Sequence, residues 1–129
     1  MNKITLQELL DHSFVITIND ERFNNFCKVF QEHNLNPLPK RFNGFTLPND
    51  IYKDIGLIKS SNICNCSFSH ASIIKTVQSL DWPFVCIFED DAYPHKDIIN
   101  KFQNVLNDIP NNIDMMKLGY TIIRNYNEL

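Results

Sequence analysis

The stretch from Phe84 to His95, FVCIFEDDAYPH, constrains the fold of this chain more than any other. Phe84 to Phe88 form a continuous apolar run, the pattern of a strand buried on both faces, as in parallel sheets covered by helices. The run stops at Glu89, Asp90 and Asp91. Adjacent carboxylates raise one another's pKa unless a cation offsets the repulsion. This strand end is therefore either a solvated acidic turn leading into the next helix or a site that brings a counter-charge.

The segments around it alternate between helical and extended patterns. Thr5 and Glu8 have the spacing of a capping box, so a short helix is expected to start near Thr5. SFVITI reads as a buried strand over Phe14 to Ile18. Asp20 is the expected cap of a helix with Phe23, Phe26, Cys27 and Phe30 at helical spacing, and Asn34 suits its left-handed terminator. NPLPKRFNGF, with two prolines, reads as an edge strand or an extended connection closing in an Asn43-Gly44 turn.

Thr46 to Asn65 carry no clear period and read as a loop. SFSHASIIKTVQSL predicts a helix capped by Ser67 or Ser69, with His70, Ile74 and Val77 on one face. Phe84 to Phe88 would be the central strand. Ile98, Phe102, Val105, Leu106 and Ile109 mark a further amphipathic helix from about Asp97, ended by Pro110, and Met115 to Leu118 read as another strand. Alternating strands and helices, without internal repeat, predict a single α/β domain with a mainly parallel sheet.

With 129 residues and 43% hydrophobic side chains, such a domain can bury roughly two-thirds of its unfolded surface. A net charge of −3, with Lys and Arg scattered along the chain, argues against a nucleic-acid surface. The amino terminus lacks the pattern of a signal peptide and no apolar run reaches the length of a membrane span, so a cytoplasmic protein is expected. Cys27, Cys64, Cys66 and Cys86 are then expected to be reduced.

In open parallel sheets ligands bind beyond the carboxyl ends of the strands, where Glu89, Asp90 and Asp91 fall. Carboxylate oxygens suit hard divalent ions such as Mg2+ and Mn2+. The stretch NCSFSHASIIKTVQSLDWPFVCIFEDDAYPH also resembles the signature of glycosyltransferase family 25, the lipopolysaccharide and collagen galactosyltransferase type. That family has a Gly-Cys-x-x-Ser-His helix start, then an apolar strand ending in Glu-Asp-Asp. The counterparts here are Asn65, Cys66, Ser69 and His70, then Glu89, Asp90 and Asp91. FVITINDER, FNGF and DMMKLGY add weaker likeness, so the resemblance runs from about Phe14 to Tyr120.

The resemblance implies a GT-A-like, Rossmann-like α/β fold, shortened at the C-terminus, that binds a UDP-hexose through Mn2+ or Mg2+. It implies Asp91 as the principal metal ligand with Glu89 supporting the site, and Arg22, His70 and Asp90 on the nucleotide-sugar side. The implied activity is transfer of a hexose, galactose in the family, with inversion, to a surface polysaccharide or lipopolysaccharide acceptor. A glycan or lipid-linked acceptor leaves room for peripheral membrane association. Where the family has glycine, Asn65 stands here. The sequence also ends at Leu129, soon after KLGY, ahead of the half that supplies the family's acceptor site.

Other readings of these residues stay open. His70 could be a hydrogen-bonded core histidine or could orient Asp90 or Asp91, and Arg22, in the first turn of a helix, could be a plain surface charge. Cys64, Cys66 and His70 form Cys-x-Cys-x3-His, a zinc-like spacing without a fourth ligand at a recognised distance in sequence. Three function classes follow: an active glycosyltransferase, a non-catalytic nucleotide-sugar-binding remnant or partner subunit, and an interaction module whose acidic turn is merely solvated.

Overall fold

The structure is a computed structural model that describes residues 4–45, 62–110 and 112–119. Its core is a three-stranded sheet made of β1 (Ser13–Thr17), β2 (Lys40–Asn43) and β3 (Cys86–Glu89) in the order β2-β1-β3. Both pairings are parallel. Helices α1 (Leu6–Asp11), α2 (Asp20–Glu32), α3 (Asn62–Ser79) and α4 (Ile98–Asn107) surround it, a coarse Rossmann-like arrangement. No described helix is long and apolar enough to cross a membrane.

Local chemistry accounts for the element ends. Thr5 and Glu8 close the capping box at α1: the Glu8 amide donates to Thr5 Oγ1 at 3.1 Å, and the Thr5 amide donates to Glu8 Oε2 at 3.1 Å. Asn19, rather than Asp20, caps α2, its Oδ1 accepting from the Arg22 amide at 3.0 Å. Asp20 becomes the first helical residue, where its charge opposes the positive end of the helix dipole. Asn34 has a φ of 57°, the left-handed conformation expected after α2.

Strand alternation sorts the side chains onto two faces. Ser13, Val15 and Thr17 of β1 point to the buried side, and Val15 packs with Leu10, Phe26, Phe30 and Leu35, with Phe88 against this cluster. Phe30 meets Phe88 edge-on at 5.2 Å between ring centroids. This face therefore belongs to α2. Phe14 and Ile16 point the other way, where Phe14 stacks on Trp82 at 5.7 Å and meets Phe42 edge-on at 6.3 Å.

Gly44 continues the β1–β2 ladder, donating its N–H to Thr17 O at 3.0 Å, in place of the expected turn. A Cβ there would approach Ile18 Cγ2 to 3.0 Å and Ile16 Cγ2 to 3.2 Å, so the missing side chain makes room for these two β1-side isoleucines, while Ser69 Oγ of α3, at 3.7 Å, would be in ordinary contact. The neighbouring Phe45 amide donates to Ser69 Oγ at 3.0 Å.

Several sequence expectations are corrected. The helix expected from Ser67 or Ser69 begins at Asn62, and Ser69 lies inside it, donating to Asn65 O at 2.9 Å. Its buried face is Ser69, Ile73 and Val77, whereas Ile74 is exposed, because only positions four apart stay on the sheet side here. The expected loop lies outside the described residues over 46–61. The central strand is β1. Among the described residues β3 pairs with β1 alone. Met115 to Leu118 form no strand: every residue of 112–119 is exposed, Met115 at 89%, and none pairs with β3. Apolar content there mimics a buried strand, but no element among the described residues covers it.

Leu10 and Phe30 anchor the packing between β1 and α2, at 0% and 2% exposure. Leu10→Ala and Phe30→Ala should each lower unfolding free energy by about 2–5 kcal/mol in urea titration, whereas Met115→Ala should change it by less than about 0.5 kcal/mol.

Candidate functional site

The carboxyl ends of β1 and β3 lie side by side, with Ile16 opposite Glu89. Strand alternation then delivers the two consecutive carboxylates to opposite faces. Glu89 shares the face of Ile16, toward α3, while Asp90 turns to the face of Thr17 and α2. Each meets a different set of partners.

Asp90 is clamped. Arg22 Nη2 stands 2.5 Å from its Oδ1, and Thr17 Oγ1 donates to its Oδ2 at 2.8 Å. The Thr17 hydroxyl has one proton, and the backbone oxygen of Asn19, at 3.1 Å, is the farther acceptor. Only 9% of the Asp90 side chain is exposed, against 55% for Arg22. The carboxylate is thus largely withdrawn from water while its partner keeps donors turned to solvent. Arg22 reaches this place because Asn19 starts α2 two residues after β1 ends, which sets the first turn of the helix over the strand end.

Glu89 has other neighbours. The Cys66 thiol donates to Glu89 Oε1 at 2.8 Å, and His70 Nε2 lies 3.6 Å from the same oxygen. Cys66 and His70 are four residues apart on α3 and so share one helix face. One donor atom from each of the three residues lies within 4.8 Å of the others. Burial raises the Cys66 thiol pKa to about 11, helped by the hydrogen bond to Glu89 and by the charges of Glu89 and Asp91. Cys27, Cys66 and Cys86 are all free thiols. The side chain of Cys64 lies outside what is described.

Asp91 is exposed and makes no hydrogen bond or ion pair among the described residues. With Asp90 it borders an open groove of about 430 Å³, also lined by Asn19, Glu21, Arg22 and Asn25. Three carboxylates face one guanidinium there, so the groove is net acidic and rich in oxygen ligands. Oxygens of this kind suit a hard cation, although both Asp90 oxygens are taken by Arg22 and Thr17 and Glu21, Asp90 and Asp91 do not bring three ligand atoms within 4.8 Å of one another. A phosphate beside Asp91 would require a counter-ion.

The sequence-predicted residues Arg22, His70, Glu89, Asp90 and Asp91 therefore meet at one sheet edge, in two sub-clusters. His70 stands beside Glu89 rather than beside Asp90 or Asp91. The sequence offers Thr17 or Asn19 as the counterpart of an Asn in the family's opening strand, but sequence reasoning missed that Thr17 holds Asp90. It also missed that Cys66 pairs with Glu89, although the four-residue spacing of Cys66 and His70 was legible.

Thr17→Val preserves shape but removes the proton donated to Asp90. It should cost about 1–3 kcal/mol of stability by urea denaturation, because a mostly buried carboxylate is left facing a methyl group. Arg22→Ala should cost less, since the guanidinium is half exposed and screened. Cys66 in chelator should alkylate slowly at pH 8. Glu89→Gln should speed that reaction several-fold, because losing the anionic acceptor lowers the thiol pKa and raises the thiolate fraction. Equal rates in the two proteins would refute the Glu89 contribution.

Comparison with known proteins finds no matching family model, no matching curated protein and no matching solved structure.

Proposed function

We propose that this chain is the donor-binding domain of a metal-dependent glycosyltransferase with a GT-A-like fold, binding a UDP-hexose in the groove between α2 and the end of β3. The supporting observation is the groove itself: an acidic, oxygen-rich cleft at the carboxyl ends of parallel strands, with Asp91 free and Arg22 half exposed. Its donor set fits Mn2+ or Mg2+. Asp91 would hold the ion, and the oxygens of Asn19, Glu21 and Asn25 are of the class such ions accept. Glu89, expected from the resemblance to support the same ion, instead faces Cys66 and His70 on the other side of the sheet, because strand alternation turns it away from the groove.

Asp90 has a different task. Its carboxylate fixes Arg22 over the strand end, so that the remaining guanidinium N–H groups face the groove and can donate to phosphate or ribose oxygens. Thr17 holds Asp90 from below and keeps that geometry from collapsing. The side-chain amides of Asn19 and Asn25 supply neutral donors for sugar hydroxyls. A divalent ion bound to the diphosphate would offset the negative charge that develops on the departing nucleotide.

The test is calorimetric titration of UDP with manganese and then with chelator. Binding should require the metal, and Asp91→Asn should abolish it while leaving stability in chelator unchanged or slightly raised, since that variant keeps the shape but loses the charge. Equal binding in chelator, or full metal-dependent binding by the variant, would refute the assignment of Asp91. Turnover of a UDP-hexose separates a transferase from a domain that binds the donor without acting on it.

A further inference from the structure

We propose that Cys66, His70 and Glu89 form a second metal site, a three-ligand centre for Zn2+ with an open fourth position, separate from the oxygen-lined groove at Asp91. The inference does not depend on the nucleotide-sugar reading. It concerns the opposite face of the same sheet edge.

Two of the three ligand separations already lie near tetrahedral values, and the third, Cys66 Sγ to His70 Nε2, is at most 4.8 Å. In a tetrahedral zinc site with Zn–S near 2.3 Å and Zn–N and Zn–O near 2.0–2.1 Å, sulfur and oxygen ligands lie about 3.5 Å apart, and nitrogen and oxygen about 3.3 Å apart. Here Cys66 Sγ is 2.8 Å and His70 Nε2 is 3.6 Å from Glu89 Oε1. The thiol proton now occupies the space between sulfur and carboxylate. As the S–Zn bond forms that proton leaves to solvent, and sulfur and oxygen need to part by less than about 1 Å.

Rigid elements carry all three donors. Cys66 and His70 project from one face of α3, and Glu89 ends β3 in register with β1. The donor set also selects the metal. One thiolate, one imidazole and one carboxylate form a mixed sulfur, nitrogen and oxygen set, softer than Mg2+ or Mn2+ favours and suited to zinc. Thiolate and carboxylate together neutralise a divalent ion, which removes Glu89 from the repulsion among the three adjacent carboxylates. Three protein ligands leave the fourth position to water or to an anionic ligand, as in zinc sites that do chemistry.

The sequence alone offered Cys64 with Cys66 and His70 and left the set incomplete. The fold supplies Glu89, 23 residues from Cys66. That difference provides the discriminating test.

The full chain, freed of metal by chelator, is titrated with Zn2+ alone and, separately, with Co2+. One zinc ion per chain should bind in a Cys66-dependent way, and the cobalt form should show a near-ultraviolet thiolate-to-metal charge-transfer band. Preference for zinc over manganese by itself decides nothing, because any nitrogen or oxygen site follows that order. Cys66→Ser should remove the band. His70→Ala and Glu89→Gln should each weaken zinc binding at least about tenfold, since losing even an outer hydrogen-bond partner of a ligand typically costs about 10–100-fold. Cys64→Ser should keep both band and affinity. In the unaltered protein, zinc should protect Cys66 from alkylation, with tandem mass spectrometry locating the label, so the outcome does not rest on any variant folding. The proposal is overturned if the cobalt form lacks the band. It is equally overturned if the band survives Cys66→Ser, if Glu89→Gln binds zinc at full strength, or if zinc protects Cys64 in place of Cys66.

Discussion

The parallel pairing of β1 with β3 is the constraint on which the rest of the site depends. Its register sets Ile16 opposite Glu89, so the two strands end together. A shift of one residue would exchange the faces of Glu89 and Asp90 and bring each to the wrong helix. Buried Val15, packed with Phe26 and Phe30 and neighbouring Phe88, holds that register, because slipping the strand would turn these side chains out of the core.

From this register follows a division of charge. Three consecutive carboxylates would repel one another on a flat surface, but the pleat and the turn after it separate them. Asp90 is withdrawn and paired with Arg22. Glu89 accepts a proton bond from Cys66, with His70 alongside. Asp91 faces solvent beside a groove and meets no cation among the described residues. Strand geometry thus gives each of the three carboxylates a different setting.

Helix placement completes the arrangement. Asn19 caps α2 immediately beyond β1, so Arg22 lies in the first turn, close enough to reach Asp90. On the other face, Gly44 leaves room for the side chains of Ile16 and Ile18, and the Phe45 amide is satisfied by Ser69, one residue before His70. The Ser-His pair that the sequence presents as a motif is therefore divided in role. Ser69 fastens the helix to the β2 edge, and His70 faces Glu89.

Local sequence determined those features that local physics decides. The capping box at Thr5, the left-handed Asn34, the alternating strand before Asn19 and the amphipathic face of Phe102 and Leu106 could all be read directly, because each depends on neighbours a few residues away. The cluster of Glu89, Asp90 and Asp91 at a strand end was legible for the same reason. Tertiary structure alone decided which strand is central, that Met115 to Leu118 stay unpaired, and which neighbours each carboxylate meets. Pairing of Glu89 with Cys66 and of Asp90 with Thr17 joins residues 23 and 73 positions apart. Such contacts are set by strand register and by the face on which each helix docks, and no local pattern encodes either, since both arise only when the apolar faces are buried together.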